Sequence, residues 1–251
     1  MILRRKFVWV IGEVWFDEEP DVKSCDIVWR RQRGQKPRQG GYEIKHTIKV
    51  NLSLPEAEIW NGITKDTRYE IRRADAKDAL RYIPICKPGE TEIAEFVGFY
   101  ERFARQKGLE QPNLGYLKSY ADAQALVLSI VKREEQTLVW HAYYSGATTA
   151  RLLHSASLYR SEESAAFRQL LGRANRWHHW RDIKYLRDKG LRYFDFGGWY
   201  AGNSDEALLR INKFKEEFGG TMAGEYNYFE ALTWKGRLLL WAKSVLQRPS
   251  R

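Results

Sequence analysis

The chain has 251 residues, enough for one large domain or two fused half-size ones, with an ordinary 43% apolar and 29% charged residues. No run approaches the 18 apolar residues of a membrane span, and the charged, tryptophan-rich start lacks the apolar core of a signal peptide. Lysine and arginine exceed the acids by ten, which favours anionic partners such as tRNA, nucleotide, pyrophosphate or a lipid headgroup.

Residues 7–16 are rich in Val, Ile, Trp and Phe and read as a strand, followed by a short one at Cys25–Trp29. Cys25 and Cys86 have no metal-ligand spacing. Free thiols fit a reducing, cytoplasmic setting, with peripheral contact at the cytoplasmic face of the inner membrane left open. Between Arg30 and Lys49 seven basic residues stand against one acid, and Tyr42–Leu52 alternates as a strand. A helix is expected after Ser53, with Ser53 as cap, Pro55 early and Glu56 at capping-box spacing. It runs on into Lys65, Arg68 and Arg72, spaced as one stripe with Arg73 beside it. That stripe suits phosphate groups, although a solvated charged face has the same pattern. Pro84 and the Lys87-Pro88-Gly89 turn suggest a boundary between sections 1–88 and 89–251.

Helical spacing from Ile93 to Ala104 stops near Gly108, and a second helix is expected over Ser119–Val131. Thr137–Tyr144 and Thr149–Tyr159 read as strands joined at Ser145-Gly146. A long helix follows at Asn175–Asp188, then a strand at Leu191–Phe196, a helix at 205–217, a strand at Tyr226–Leu232 and a helix at Arg237–Leu246. The mixture indicates a mixed α/β (α+β) fold with helices on the faces of a central sheet. The last helix could touch a bilayer through Leu238, Leu239, Leu240 and Trp241, but covering the core is its expected role.

Three segments carry candidate chemistry. In 205–217, Leu208, Ile211, Phe214 and Phe218 define an apolar stripe into which Lys215 falls, while Lys213 faces away. An ammonium there must snorkel, find an acid, or meet substrate charge in a cleft. Upstream, strand alternation separates Asp195 from Phe194 and Phe196, and Gly197-Gly198 permits close approach of backbone to ligand. Asp195 could orient an acceptor amine, pair with a lysine, or hold the turn. The third segment, Gln169-Leu170-Leu171-Gly172-Arg173-Ala174, has the pattern of a short anion-binding loop before a helix, as acetyltransferases use for the coenzyme A pyrophosphate. His154 is the candidate base, and Trp177 and Trp199 are candidate rings for substrate contact. The adjacent His178 and His179 do not share one helical face and have no third ligand at metal spacing, so no metal is expected.

Phe194-Asp195-Phe196-Gly197-Gly198, then Lys213-Phe214-Lys215 and Phe218-Gly219-Gly220, resemble the signature of the FemAB/FemX peptidoglycan aminoacyltransferase superfamily. Thr67-Arg68-Tyr69 and Ile71-Arg72-Arg73-Ala74 resemble that family's early helix, so the likeness spans roughly residues 50–232. The resemblance implies a Gcn5-related acyl-CoA N-acyltransferase-like fold of the FemAB type. In so short a chain it implies one complete domain preceded by a reduced copy. It further implies transfer of an amino acid from aminoacyl-tRNA to a primary amine, without a metal or permanently bound cofactor. Lys215 then resembles the basic residue meeting phosphate or oxyanion charge, with Lys65 and Arg72 near a phosphorylated or nucleotide-linked acceptor. Acyl-CoA as donor, and a non-catalytic RNA- or membrane-associated binding protein, are the alternatives. Oligomeric state is not legible.

Overall fold

The computed structural model describes residues 1–158 and 164–246. The chain forms two compact units, Thr47–Met222 and a smaller one made of Met1–His46 with Ala223–Arg251.

In the smaller unit, β1 (Ile2–Lys6) and β2 (Trp9–Trp15) form a hairpin, β2 pairs in parallel with β3 (Ile27–Arg33), and β3 pairs antiparallel with β10 (Thr221–Ala231). Val14, Cys25 and Val28 are its buried centre, and Gly236 seats α7 (Trp234–Leu246) against Asp26.

The larger unit carries a sheet of order β4-β9-β8-β7-β6-β5. Its strands are β4 (Tyr42–Asn51), β5 (Leu80–Ile85), β6 (Leu126–Arg133), β7 (Gln136–Ser145), β8 (Thr149–Ser157) and β9 (Tyr193–Gly198). All neighbours are antiparallel except β8 and β9. One face is covered by α1 (Glu56–Gly62), α2 (Lys65–Lys77) and α5 (Ala165–Asp188), which bury Ile59, Ile63, Ile71, Trp177 and Ile183 against Val139, Tyr143 and Phe194. The other face meets α3 (Glu90–Lys107) and α4 (Leu114–Asp122) through rings such as Phe96 on Trp140 and Tyr120 on Tyr144. Helix α6 (Glu206–Glu216) completes the unit. The architecture is the mixed α/β one, with helices on the faces of a central sheet, that the residue pattern suggests.

Several elements differ from the sequence pattern. The helix expected after Ser53 is two, because Ile63 adopts extended backbone at the end of α1 and Thr64 restarts the turn as the cap of α2. Pro55, not Ser53, stands at the N-cap of α1. The helix expected over Ser119–Val131 ends at Asp122, and Leu126–Arg133 is a strand flanked by β5 and β7 and buried from Leu126 to Val131. From Leu126 to Val131 the run is apolar at all but Ser129 and has no alternation to betray a strand. Tyr159, the expected end of β8, lies outside the described residues. The compact units do not part at 88/89. Residues 47–88 supply β4, α1, α2 and β5 to the larger unit, where β5 pairs with β6 from Leu80 to Ile85.

Candidate active site

The parallel strands β8 and β9 are in register for three residues only: Thr149 with Tyr193, Ala150 with Phe194, and Arg151 with Asp195. Gly197, at φ +76°, then turns the backbone, and a Cβ there would stand 2.9 Å from the Leu152 carbonyl oxygen. Only glycine fits. The pairing of the two strands ends before this point, and this break in register, a split toward their C-terminal ends, lies where open sheets receive ligands.

The polar residues at this split define the site. Asp195 is fully buried. Its carboxylate accepts the Gly197 N–H at 2.7 Å, faces the Arg151 guanidinium at 3.4 Å, and lies beside the Thr47 hydroxyl. Thr47 Oγ1 is also 2.8 Å from the Gly197 carbonyl, so its one proton serves either acceptor. Asp195 therefore builds the turn. Asp195→Asn should lower stability by about 1–3 kcal/mol, with turnover of the folded protein kept within about threefold. Urea denaturation and steady-state rates measure the two separately. A hundredfold loss of turnover in a fully folded variant would instead assign Asp195 to the chemistry.

Lys215, half-buried on α6, donates to the Gly198 carbonyl at the end of β9. Burial, and the Arg151 charge, push its ammonium down to about 8, while Asp195 works in the opposite direction. The apolar stripe that suggested this residue is not the buried side of α6, since Leu208 and Ile211 are exposed. Asn212, Lys215 and Phe218, three apart, face inward instead, with Asn212 clamping the Tyr200 backbone at 2.9 and 2.7 Å. The end of the helix is held by glycines. A Cβ on Gly219 would lie 2.4 Å from the Gly62 carbonyl oxygen, and one on Gly220 would lie 2.4 Å from the Ile48 side chain. Thr64 N–H donates to the Glu217 carbonyl at 2.8 Å.

A groove of about 450 Å³ opens between α2, α5 and the end of α6, lined by Arg73, Gln169, Gly172, Arg173, Arg176 and Glu217 among others. Its charges are largely engaged with each other. Arg173 grips Asp78 through two bonds of 2.7 and 2.9 Å, and Glu217 accepts from Arg176 at 3.0 Å and Thr67 at 2.9 Å. Gln169–Ala174 is not a loop. It lies inside α5, whose N-cap is Ser164, so its N–H groups face the preceding turn rather than a pyrophosphate. Gly172 misled the reading as a loop signal, and Ala174 is buried core.

The other expected residues scatter. His154 packs against Phe96 and Tyr100 of α3, and burial lowers it to about 4, which suits a core imidazole better than a base. Trp177 is buried with its indole N–H on Asp75 at 2.9 Å. Arg68 caps α1 through the Asn61 carbonyl at 3.0 Å, and Arg72 lies 5.9 Å from the Trp60 ring. Lys65, Arg73 and Lys213 are exposed, and Trp199 donates to Glu216 at 3.1 Å near Lys215.

Beneath the split lies a cluster the residue pattern missed. Asp182 accepts from Tyr82 at 2.9 Å and Tyr143 at 2.5 Å, and meets His141 Nδ1 at 2.7 Å. His141 stacks on both His178 and His179, at 3.8 and 4.3 Å between centroids. His179 is ringed by Phe194, Phe196, Phe214 and Phe218, and burial holds both helix histidines well below the imidazole range. The adjacent histidines do turn to one partner, because His141 comes from a strand remote in sequence. His141, His179 and Asp182 bring one donor atom each within 4.8 Å, and they are the set among the described residues that could hold a metal ion. The carboxylate is nevertheless occupied by three protein partners, which makes the cluster a hydrogen-bonded floor under β9.

The strand split over a half-buried lysine invites comparison with solved folds. FemX superimposes with a TM-score of 0.59 at 13% identity, over 78% of this chain. In fold, this chain resembles FemX. It covers 63% of the FemX chain, less than two thirds of that protein's length. L-PGS from Bacillus licheniformis matches with a TM-score of 0.52 at 12% identity, over 98% of this chain and 85% of that one. The C-terminal domain of an Agrobacterium fabrum protein described as a lysylphosphatidylglycerol synthetase gives 0.54 at 11% identity, over 97% and 84%. No family model and no curated protein matches the sequence. The FemX-like fold therefore rests on structure. Among the described residues no helix is long and apolar enough to cross a membrane.

Proposed function

We propose that the chain is an acyltransferase that moves an amino acid from aminoacyl-tRNA to a primary amine of a cell-wall precursor, amino sugar or peptide. One observation carries the reading: Lys215 places a half-buried ammonium at the mouth of the β8–β9 split, beside the Gly198 carbonyl. In such a site the donor ester lies with its carbonyl oxygen toward Lys215. The amine nitrogen attacks the carbonyl carbon, and the new N–C bond forms as negative charge collects on that oxygen. The Lys215 ammonium stabilises this charge in surroundings where water competes poorly. The C–O bond then breaks, and the proton lost by the amine ends on the departing ribose hydroxyl. Holding both reactants in the split supplies proximity. The excess of ten basic residues suits a tRNA and a phosphorylated or nucleotide-linked acceptor, and the resemblance to FemX supports aminoacyl transfer.

The split itself favours a second reading. The part of β8 beyond Arg151, which has no register partner on β9, would also accept the amide-bearing arm of acyl-coenzyme A. Titration of the protein with aminoacyl-tRNA, uncharged tRNA and acyl-coenzyme A separates the two. Tighter binding of the aminoacylated form than of uncharged tRNA is expected. Binding of acyl-coenzyme A alone would overturn the tRNA donor while leaving acyl transfer in place.

A further inference from the structure

Helix α7, Trp-Lys-Gly-Arg-Leu-Leu-Leu-Trp-Ala-Lys-Ser-Val-Leu, contains no acid. Trp234, Leu238 and Trp241 are spaced four and three apart and so share one face. They are 70%, 54% and 63% exposed. The opposite side is fixed inward, since a Cβ on Gly236 would lie 2.2 Å from the Asp26 carbonyl oxygen. Three large apolar side chains on one turn-aligned face thus point into solvent, rather than covering a core.

The β1–β2 hairpin adds to this surface. Its two-residue turn is Phe7-Val8, between the paired Lys6 and Trp9. Phe7 is 87% exposed and Val8 69%. Phe7 also has φ +55°, a backbone position that glycine or asparagine fills at lower cost. A bulky ring that is both strained and exposed has no folding reason to be there. The Trp9 indole donates to the Lys235 carbonyl at 3.3 Å, which sets the hairpin tip beside the start of α7. Arg5, Lys6, Lys235 and Arg237, adjacent in sequence to these residues, are exposed.

We propose that this face of the smaller unit, built on Phe7, Val8, Trp234, Leu238 and Trp241, docks on the surface of an anionic lipid bilayer. Indole rings settle at the headgroup level, aliphatic chains enter the acyl boundary, and the surrounding cations meet lipid phosphates. A nucleic acid partner would use cations and rings, but gains nothing from Val8 and Leu238, which cannot stack on bases. A second copy of the chain would bring like charges into opposition across a two-fold interface. The inference is independent of the acyl donor and of Lys215.

Cosedimentation of the full chain with vesicles tests it, comparing pure phosphatidylcholine with vesicles containing roughly a third phosphatidylglycerol. Binding to the anionic vesicles is expected, weakened by high salt and at least about tenfold poorer on phosphatidylcholine. The double substitution Trp234→Ser, Trp241→Ser should cut binding by about tenfold or more. Because Phe7→Gly relieves the left-handed position, that variant should keep its thermal midpoint and still bind more weakly. Failure to sediment with anionic vesicles, or unchanged binding by both variants, would overturn the proposal. So would displacement from vesicles by uncharged tRNA, or a dimer in solution that the double substitution dissolves.

Discussion

Lys215→Met should leave the protein folded and lower turnover by about 10²–10³, the range found when one donor to a developing oxyanion is removed. Methionine has nearly the same reach and fills the half-buried position without bringing a charge that needs solvation. The thermal midpoint should therefore hold or rise. The pH profile supplies the sign. The group sits at about 8, so the cationic form prevails below that pH and is lost above it. If the ammonium is the working form, turnover falls as pH rises through about 8, and the Met variant loses that limb. A profile that instead rises through 8 would make the neutral amine a base. Unchanged turnover in Lys215→Met would remove the residue from the chemistry. The stability linkage runs the same way for any role. Protonation is disfavoured in the folded state, so this group lowers stability most below pH 8 and ceases to do so above its unfolded value.

Asp182→Ala should be the most damaging single change to stability, about 3–5 kcal/mol, because it strands two buried partners and a partly buried one at once. Tyr82, Tyr143 and His141 all direct polar atoms at this carboxylate, which is 1% exposed. Asp182→Asn keeps the shape and one acceptor, and should lose less. Urea denaturation of the two variants reads the difference directly. A loss below about 1 kcal/mol for the alanine variant would show that the network is not a structural floor. Since His179 lies against Phe214 and Phe218, loosening this floor should also disturb α6 and hence Lys215.

Much of the architecture was legible in the residues. The stop of α3 at Gly108 is a left-handed glycine cap, and the β7–β8 hairpin follows its turn residues. The separation of Asp195 from Phe194 and Phe196 is ordinary strand alternation, and it holds in β9, where the two rings join the apolar core and Asp195 meets Thr47 and Arg151. Elsewhere local pattern failed for identifiable reasons. Leu126–Val131 is buried at every position and apolar at all but Ser129, so its period is silent. Gly172 is a loop signal taken into a long helix by the packing of its neighbours Leu171 and Ala174. The arginines of α2 and α5 read as anion ligands, but Arg68 and Arg173 are committed to a carbonyl and to Asp78. Sequence counts charges and not their partners.

By itself, then, the sequence determined that the chain is a basic, mixed α/β protein, and it singled out Asp195–Gly220 with Lys215 as the candidate site, on an apolar stripe that proved to be exposed at Leu208 and Ile211. Those properties follow from composition and from periods of two and 3.6 residues, which are local. The tertiary structure alone decided that β8 and β9 stay in register only as far as Arg151, that Asp195 holds the Gly197 turn, and that His154 lies in aromatic core. It also decided that His141, from a strand, completes a cluster with His178, His179 and Asp182. Each of these depends on contacts between residues far apart in the chain, and no local periodicity carries that information.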